Sequence, residues 1–294
     1  MTERLKRALD ARETLVGTWL SVGHPTVAEL QAQLGFDFVT IDAEHAATSL
    51  ETIENMARAV DAAEGETETI VRVADDDPVH LNRVLDTGVS GVIVPMVETV
   101  SQARAVVDAT HYPPDGSRGV AGSRASSYGL HLEEYFGRAN DEVVTILLIE
   151  TAKGVENASA IADVDGVDAL FVGPADMSAT LGDFGDPDSI EHDISAVIDA
   201  GRAADTAVGT IALAPDDVEQ WVDAGFDFHV VGVDADYLVR GARRAKKRFE
   251  AAASGETAKA PVEEKEVESA REEEKEAESA TEGETESVGE EETE

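Results

Sequence analysis

A closed barrel of eight parallel strands, each followed by a helix, is the α/β fold this sequence predicts. Eight short apolar runs rich in Val, Ile and Phe recur through residues 1–250, and amphipathic helical stretches separate them. The runs are nearly continuous in hydrophobicity, as strands of a parallel sheet covered on both faces are. Eight such units in about 240 residues suit a (β/α)8 barrel better than an open sheet.

The expected strands are 16–20 (VGTWL), 36–42 (FDFVTID), 69–73 (TIVRV), 91–96 (GVIVPM), 143–150 (VVTILLIE), 168–173 (DALFVG), 207–213 (AVGTIAL) and 228–233 (FHVVGV). Pro25 opens a helix after Ser21-Val22-Gly23-His24. Thr48 with Glu51 three residues on reads as a capping box for a helix over 49–63. Pro215 followed by Asp216 and Asp217 suits a first helical turn, where acidic charge meets the dipole. Residues 111–135 are long, Gly-rich and without a clear strand, and hold two Arg and three Tyr. A loop of that length in a compact domain reads as functional.

Residues 251–294 contain no aromatic residue and carry 17 acidic against 4 basic side chains. Such a segment buries too little apolar surface to offset its chain entropy, so a disordered acidic tail is expected there, after a barrel domain over 1–250. The chain's net charge is −39, of which −26 remains on residues 1–250. Salt near 1 M shortens the Debye length to roughly 3 Å and screens such a surface. A halophilic protein is the expectation, an ordinary acidic enzyme the alternative. Nucleic acid and anionic membranes are poor partners for it. With no cysteine, no membrane-spanning apolar run and no charged-then-apolar leader, a cytoplasmic location without disulfides or thiolate metal sites is expected.

Barrel enzymes place their chemistry where the strands end. Strand two ends in Asp42-Ala43-Glu44-His45, strand three in Arg72, strand four in Pro95-Met96 and strand five in Glu150. Strand six runs into Gly173-Pro174-Ala175-Asp176, and Asp86 follows the helix before strand four. One rim is thus expected to gather an Arg, a His and several carboxylates. Glu150 and Asp176 lie about one βα unit apart and suit a hard divalent cation with open positions. The alternative for Asp176 is a plain helix cap. His45, in a βα loop beside two carboxylates, is placed to act as a base, although a structural histidine is the commoner case. Arg72 sits among Ile70, Val71 and Val73, where an unpaired charge is costly, so it pairs with a carboxylate or faces an anion.

Ordered motifs over residues 5–245 resemble the HpcH/HpaI aldolases, class II enzymes acting on 2-keto-3-deoxy acids and 4-hydroxy-2-oxo diacids. They are GTWLSVGHPTVAEL, GFDFVTIDAEHA, VRV, LDTGVSGVIVPMV, YPPDGSRGV, IET and FVGPADMSATLG. The resemblance implies a TIM barrel of the phosphoenolpyruvate/pyruvate type and a metal-dependent aldolase. It would cleave or form the C3–C4 bond of a 4-hydroxy-2-oxo acid, giving pyruvate and an aldehyde, a long one of which would meet residues 111–135. His45 then matches the catalytic histidine and Asp86 its carboxylate partner. Arg72 matches the arginine that binds the pyruvate oxygen. Glu150 and Asp176 match the ligands of Mg²⁺ or Mn²⁺, with Co²⁺ a further candidate. The loop Gly173, Pro174, Ala175 and Asp176 would bind substrate, the N–H groups of Ala175 and Asp176 holding its carboxylate. A homo-oligomer, hexameric by the same resemblance, fits the basic cluster Arg240, Arg243, Arg244, Lys246, Lys247 and Arg248 on the last helix.

Two positions depart from the family's pattern: Leu148 replaces a frequent Gln, and Ala47 follows Glu44-His45-Ala46 where the family often has Pro. A Schiff-base aldolase would need a lysine inside the barrel. Only Lys153 lies near a strand end, while Lys6, Lys246 and Lys247 read as exterior helical residues. The remaining alternatives are a CoA-thioester lyase of the citrate or malyl type and a non-catalytic barrel that recruits partners.

Overall fold

The computed structural model describes residues 4–182, 184 and 187–254. The chain divides into two compact units, Met1–Leu238 and Val239–Glu294. The first holds the barrel; the described part of the second is helical. Residues 251–254, placed in the tail by composition, continue the last helix, and the expected disorder beyond them falls outside the described residues.

Eight parallel strands close into one barrel in sequence order. They are β1 (Leu15–Leu20), β2 (Phe38–Asp42), β3 (Glu68–Arg72), β4 (Gly91–Val94), β5 (Val144–Ile149), β6 (Ala169–Val172), β7 (Ala207–Ala212) and β8 (Phe228–Val233). The helices are α1 (Arg4–Asp10), α2 (Pro25–Ala32), α3 (Leu50–Ala62), α4 (Pro78–Leu85), α5 (Val100–Thr110), α6 (Leu132–Glu142), α7 (Ala152–Ala162), α8 (Pro174–Leu181), α9 (Glu191–Ala204), α10 (Pro215–Ala224) and α11 (Asp234–Ser254). All eight expected strands form, most of them a residue or two shorter than the apolar runs. α3 starts differently: Ser49, not Thr48, is its cap and accepts from the Thr52 N–H.

Strand alternation divides the apolar residues into two layers. Leu20, Val39, Ile41, Val71, Val92, Leu147 and Val172 face the helices, while Leu15, Phe38, Ile70, Ile93, Ile146, Phe171 and Phe228 fill the barrel. Phe171 and Phe228 pack at 5.9 Å and Phe38 and Phe228 at 6.0 Å between ring centres. Two inward glycines make that possible: a Cβ at Gly17 would lie 2.4 Å from the Phe38 ring, and one at Gly209 2.3 Å from the Phe228 ring. The barrel centre is therefore a packed core, and chemistry is confined to its ends.

α1 closes the end where the strands begin, burying Leu5, Ala8 and Leu9. Glu68 accepts from the Leu5 N–H at 2.9 Å, and Lys6 pairs with Asp168 at 2.6 Å and donates to the Val143 carbonyl. Lys6 is thus not exterior as its helical setting suggested; it is a half-buried strut on the floor, far from the mouth. Burial raises the Asp168 carboxyl against the pull of the Lys6 charge.

Candidate active site

At the opposite end, the same alternation points Trp19, Asp42, Arg72, Leu148 and Glu150 into the mouth. Asp42 and Arg72 are register partners at the last positions of neighbouring strands. The Asp42 carboxylate accepts from Arg72 Nε at 3.1 Å and Nη2 at 2.8 Å, a bidentate pair. Arg72 Nη1 lies 2.9 Å from Glu44 Oε2, and the guanidinium stacks 4.8 Å from the Trp19 ring centre. Each of the three guanidinium nitrogens thus has a carboxylate partner, and two N–H groups are left over. Asp42 Oδ1 also accepts from the N–H groups of Glu44 and His45, at 3.0 and 3.2 Å. One carboxylate therefore fixes both the arginine and the loop that carries the histidine.

Burial pushes the Asp42 carboxyl up, but the Arg72 hydrogen bonds and charge outweigh it and hold it below the usual carboxylate range. Glu44 is raised: its burial, with Asp42 and Asp176 nearby, outweighs Arg72 and His45. The His45 ring is exposed, its Nε2 3.7 Å from Glu44 Oε2.

Glu150 is 4% exposed, and its Oε1 accepts from the Met96 N–H at 2.8 Å. Burial, with Asp176 and Glu44 adding negative field, lifts it to about 7. A Cβ on Gly173 would sit 3.6 Å from Glu150 Oε2 and 3.9 Å from Asp176 Oδ2. The free oxygens of the two acids therefore approach the one residue that has no side chain to fill the space between them. A buried carboxylate facing an exposed one that repels it, across a cradle of this kind, fits a divalent cation. Among the described residues no group of three or more His, Asp or Glu side chains encloses an ion. Two protein carboxylates leave positions for substrate oxygens, as hard cations in open sites require.

α8 begins directly beside this pair. Gly173 caps it without a side-chain hydrogen bond, Pro174 occupies its first turn, and Met177 N–H closes onto the Gly173 carbonyl. That leaves the Ala175 and Asp176 N–H groups as the first-turn donors of a helix. A cavity of ≈ 270 Å³ adjoins, lined among others by Ala175, Ile211, Leu213 and Trp221; its described lining includes no Lys or Arg.

Two expectations need correction. Asp86 does not share the rim with His45: it is the C-cap of α4, where the chain turns back to begin β4. A helix that follows a parallel strand returns to the strand's starting end, so Asp86 lies on the floor side, a strand length of roughly 15 Å from the mouth. There its Oδ1 accepts from Ser123 at 3.1 Å and lies 3.5 Å from Arg118 Nη2. For the same reason residues 111–135, between α5 and α6, pack at the floor. They form a 3-10 turn over Arg124–Gly129, with Arg124 bound to Asp61 and the Thr87 carbonyl. Lys153 does not enter the barrel either: it is half-exposed on α7 and pairs with Glu98. Asp42, Glu44 and Trp19 are the site residues that motif reading left without a role.

The model of the HpcH/HpaI aldolase/citrate lyase family matches residues 15–241. A 4-hydroxy-2-oxo-heptane-1,7-dioate aldolase of Salmonella dublin is 37% identical over 257 residues, covering 85% of this chain and 95% of that relative. Among solved structures, an HpcH/HpaI aldolase/citrate lyase family protein from Burkholderia cenocepacia J2315 superposes with a TM-score of 0.82 at 37% identity, covering 85% of this chain and 100% of that one. The citrate synthase SbnG superposes with a TM-score of 0.76 at 27% identity, covering 85% and 98%.

Proposed function

The chain belongs to the HpcH/HpaI aldolase/citrate lyase family, and from that premise we propose a chemical role for each group at the barrel mouth. It is an aldolase, a carbon–carbon lyase. The 37% identity to an aldolase over most of the chain favours this reading over a CoA-thioester lyase and over a non-catalytic barrel. Among the described residues no helix is long and apolar enough to cross a membrane.

The substrate is a 4-hydroxy-2-oxo acid, and the products are pyruvate and an aldehyde. The observation that carries this reading is the pair Glu150 and Asp176 facing one another beside an arginine locked by two carboxylates. Glu150 and Asp176 hold a divalent cation, Mg²⁺ or Mn²⁺ with Co²⁺ as a further candidate. When bound, it supplies Lewis-acid stabilisation of charge on the substrate's ketone oxygen. The Ala175 and Asp176 N–H groups receive the substrate carboxylate at the N-terminus of α8.

Arg72 faces the ketone oxygen with the N–H groups that Asp42 and Glu44 do not use, and its fixed fork needs no reorganisation as negative charge grows there. His45 removes the C4 hydroxyl proton. The C3–C4 bond then breaks, its electron pair passing to C3 and the ketone oxygen. The aldehyde leaves, and protonation at C3 completes pyruvate. The aldehyde's chain extends into the cavity beside Ala175 and Leu213. With no cation in that cavity's described lining, an uncharged or hydroxylated aldehyde is favoured over one ending in a carboxylate. Pyruvate release across a panel of 4-hydroxy-2-oxo acids in high salt, with Mn²⁺ or Mg²⁺, tests this order of preference.

Asp86 partners His45 across a subunit boundary. Within one chain the two lie at opposite ends of the barrel, so a pairing between them requires a second copy, consistent with the hexamer the family resemblance implies. The floor loop that holds Asp86 exposes Val120, Tyr128 and Leu130, the last 81% accessible, an apolar surface suited to burial against that copy. His45→Ala and Asp86→Ala should each be nearly inactive alone. Unfolded together and reassembled, they should regain roughly a quarter of wild-type activity at sites that draw both wild-type residues from different chains. No recovery on mixing, with correct assembly by light scattering, contradicts the shared site.

A further inference from the structure

The turn after β4 takes no part in the chemistry above, yet it carries a concentration of unusual geometry. Met96 stands in the left-handed region at φ 56°, which L-residues with a Cβ seldom occupy. That conformation turns its N–H onto Glu150 Oε1 at 2.8 Å. Val97 N–H then reaches the Leu148 carbonyl at 3.3 Å, tying the turn to β5 itself.

Glu98, two residues past Met96, is bound on every side. Its Oε1 accepts from Thr151 Oγ1 and its Oε2 from Lys153 Nζ, both at 3.0 Å. Its carbonyl accepts from Asn157 Nδ2 at 2.8 Å, and its N–H donates to Gln102 Oε1 at 3.1 Å. Gly154 lets α7 close in: a Cβ there would lie 3.0 Å from the Val97 carbonyl. The β4 turn is thus strapped to the start of α7, the segment that follows Glu150. On the far side, Thr180 Oγ1 donates to the Glu150 carbonyl at 2.8 Å.

We propose that Met96 and Glu98 are positioning residues for the cation site: the strapped left-handed turn engages one oxygen of Glu150 and leaves the other, facing Asp176, to the metal. This rests on the reading that Glu150 and Asp176 hold a divalent cation. Without the turn, Glu150 would rotate and share both oxygens among solvent and neighbours. Lys153, which has no catalytic part as a Schiff-base lysine, acquires a role at the rim of the strap. Being exposed, its ion pair contributes little, and the weight falls on Thr151 and Asn157.

The test is Mn²⁺ binding, followed by calorimetry and by the electron paramagnetic resonance of free ion, on the full chain. Met96→Gly and Met96→Val both remove the thioether, but only valine resists the left-handed conformation. Met96→Gly should keep the wild-type Mn²⁺ affinity within twofold. Met96→Val should weaken it by about tenfold, the scale of forcing a β-branched residue into that region. Glu98→Ala should weaken it several-fold and Glu98→Gln, which keeps the Thr151 contact, less; Lys153→Met should change it by under twofold. Thermal melting of each metal-free variant separates local from global loss. If Met96→Val and Glu98→Ala bind Mn²⁺ like the wild type, the positioning role is wrong while the metal site stands. If the wild type binds no Mn²⁺, the metal reading itself fails and the proposal with it.

Discussion

Arg72→Ala is expected to lower kcat for aldol cleavage by at least about a hundredfold and to abolish exchange of the pyruvate methyl protons with solvent. Both follow from the proposed placement of Arg72 against the oxygen that becomes negative in the enolate, because the loss of one preorganised donor at such an oxygen typically costs 10²–10³. The substitution also strips buried Asp42 and half-buried Glu44 of their guanidinium partner, so the fold itself loses a strut on the scale of about 3–5 kcal/mol. Arg72→Lys, which keeps a charge but not the fork that spans Asp42 and Glu44, separates the two effects. It should restore most of the stability and little of the rate. His45→Ala behaves differently. Its ring is exposed and its loss should leave folding intact while slowing cleavage by roughly 10²–10⁴. Proton exchange at pyruvate C3 should persist, because the enolate forms without the C4 hydroxyl. Deuterium uptake into the pyruvate methyl, measured beside retro-aldol turnover, checks the division. Equal loss of both activities in His45→Ala, with exchange retained in Arg72→Ala, would reverse the assignment.

Glu150→Gln should eliminate Mn²⁺ binding and turnover while making the metal-free protein more stable at pH 8. In the folded chain Glu150 holds its proton up to about pH 7, because it is buried beside Asp176 and Glu44. In the unfolded chain it loses the proton near 4.5, the ordinary value. Between those values unfolding releases a proton, so the wild-type apoprotein loses stability as pH rises through that window. Glutamine keeps an oxygen for the Met96 N–H but carries no charge, so it escapes the loss. The melting temperature of Glu150→Gln should exceed the wild type's by roughly 5 °C at pH 8 and match it at pH 5. Divalent cation should reverse the order at pH 8, since only the wild type binds it and gains by mass action. Equal melting curves at both pH values, without metal, would show that Glu150 carries no such strain.

The barrel was legible because parallel strands buried on both faces read as unbroken apolar runs. The mouth was legible in part, since His45, Arg72, Glu150 and Asp176 all lie at or just past strand ends. What partners what was not. Asp42 and Arg72 pair because they occupy equal positions on adjacent strands, and register is a property of the closed sheet. The glycine cradle at residue 173 is likewise invisible until β5 and β6 stand side by side. Asp86 and residues 111–135 were misplaced despite a usable signal. Each begins where a helix that follows a strand has ended, which assigns it to the floor. Lys6 was misread because α1 resembles any short amphipathic helix until it is seen to plug the barrel.

The central claim is that this barrel cleaves 4-hydroxy-2-oxo acids by metal-assisted enolate chemistry. Its most direct test is pyruvate release from such an acid by the full-length protein in high salt, before chelation, after chelation and after Mn²⁺ or Mg²⁺ is restored. Turnover, its loss in chelator and its recovery with the ion are the expected results. Undiminished turnover in chelator, with inactivation by borohydride in the presence of pyruvate, would contradict it and point to an amine nucleophile instead.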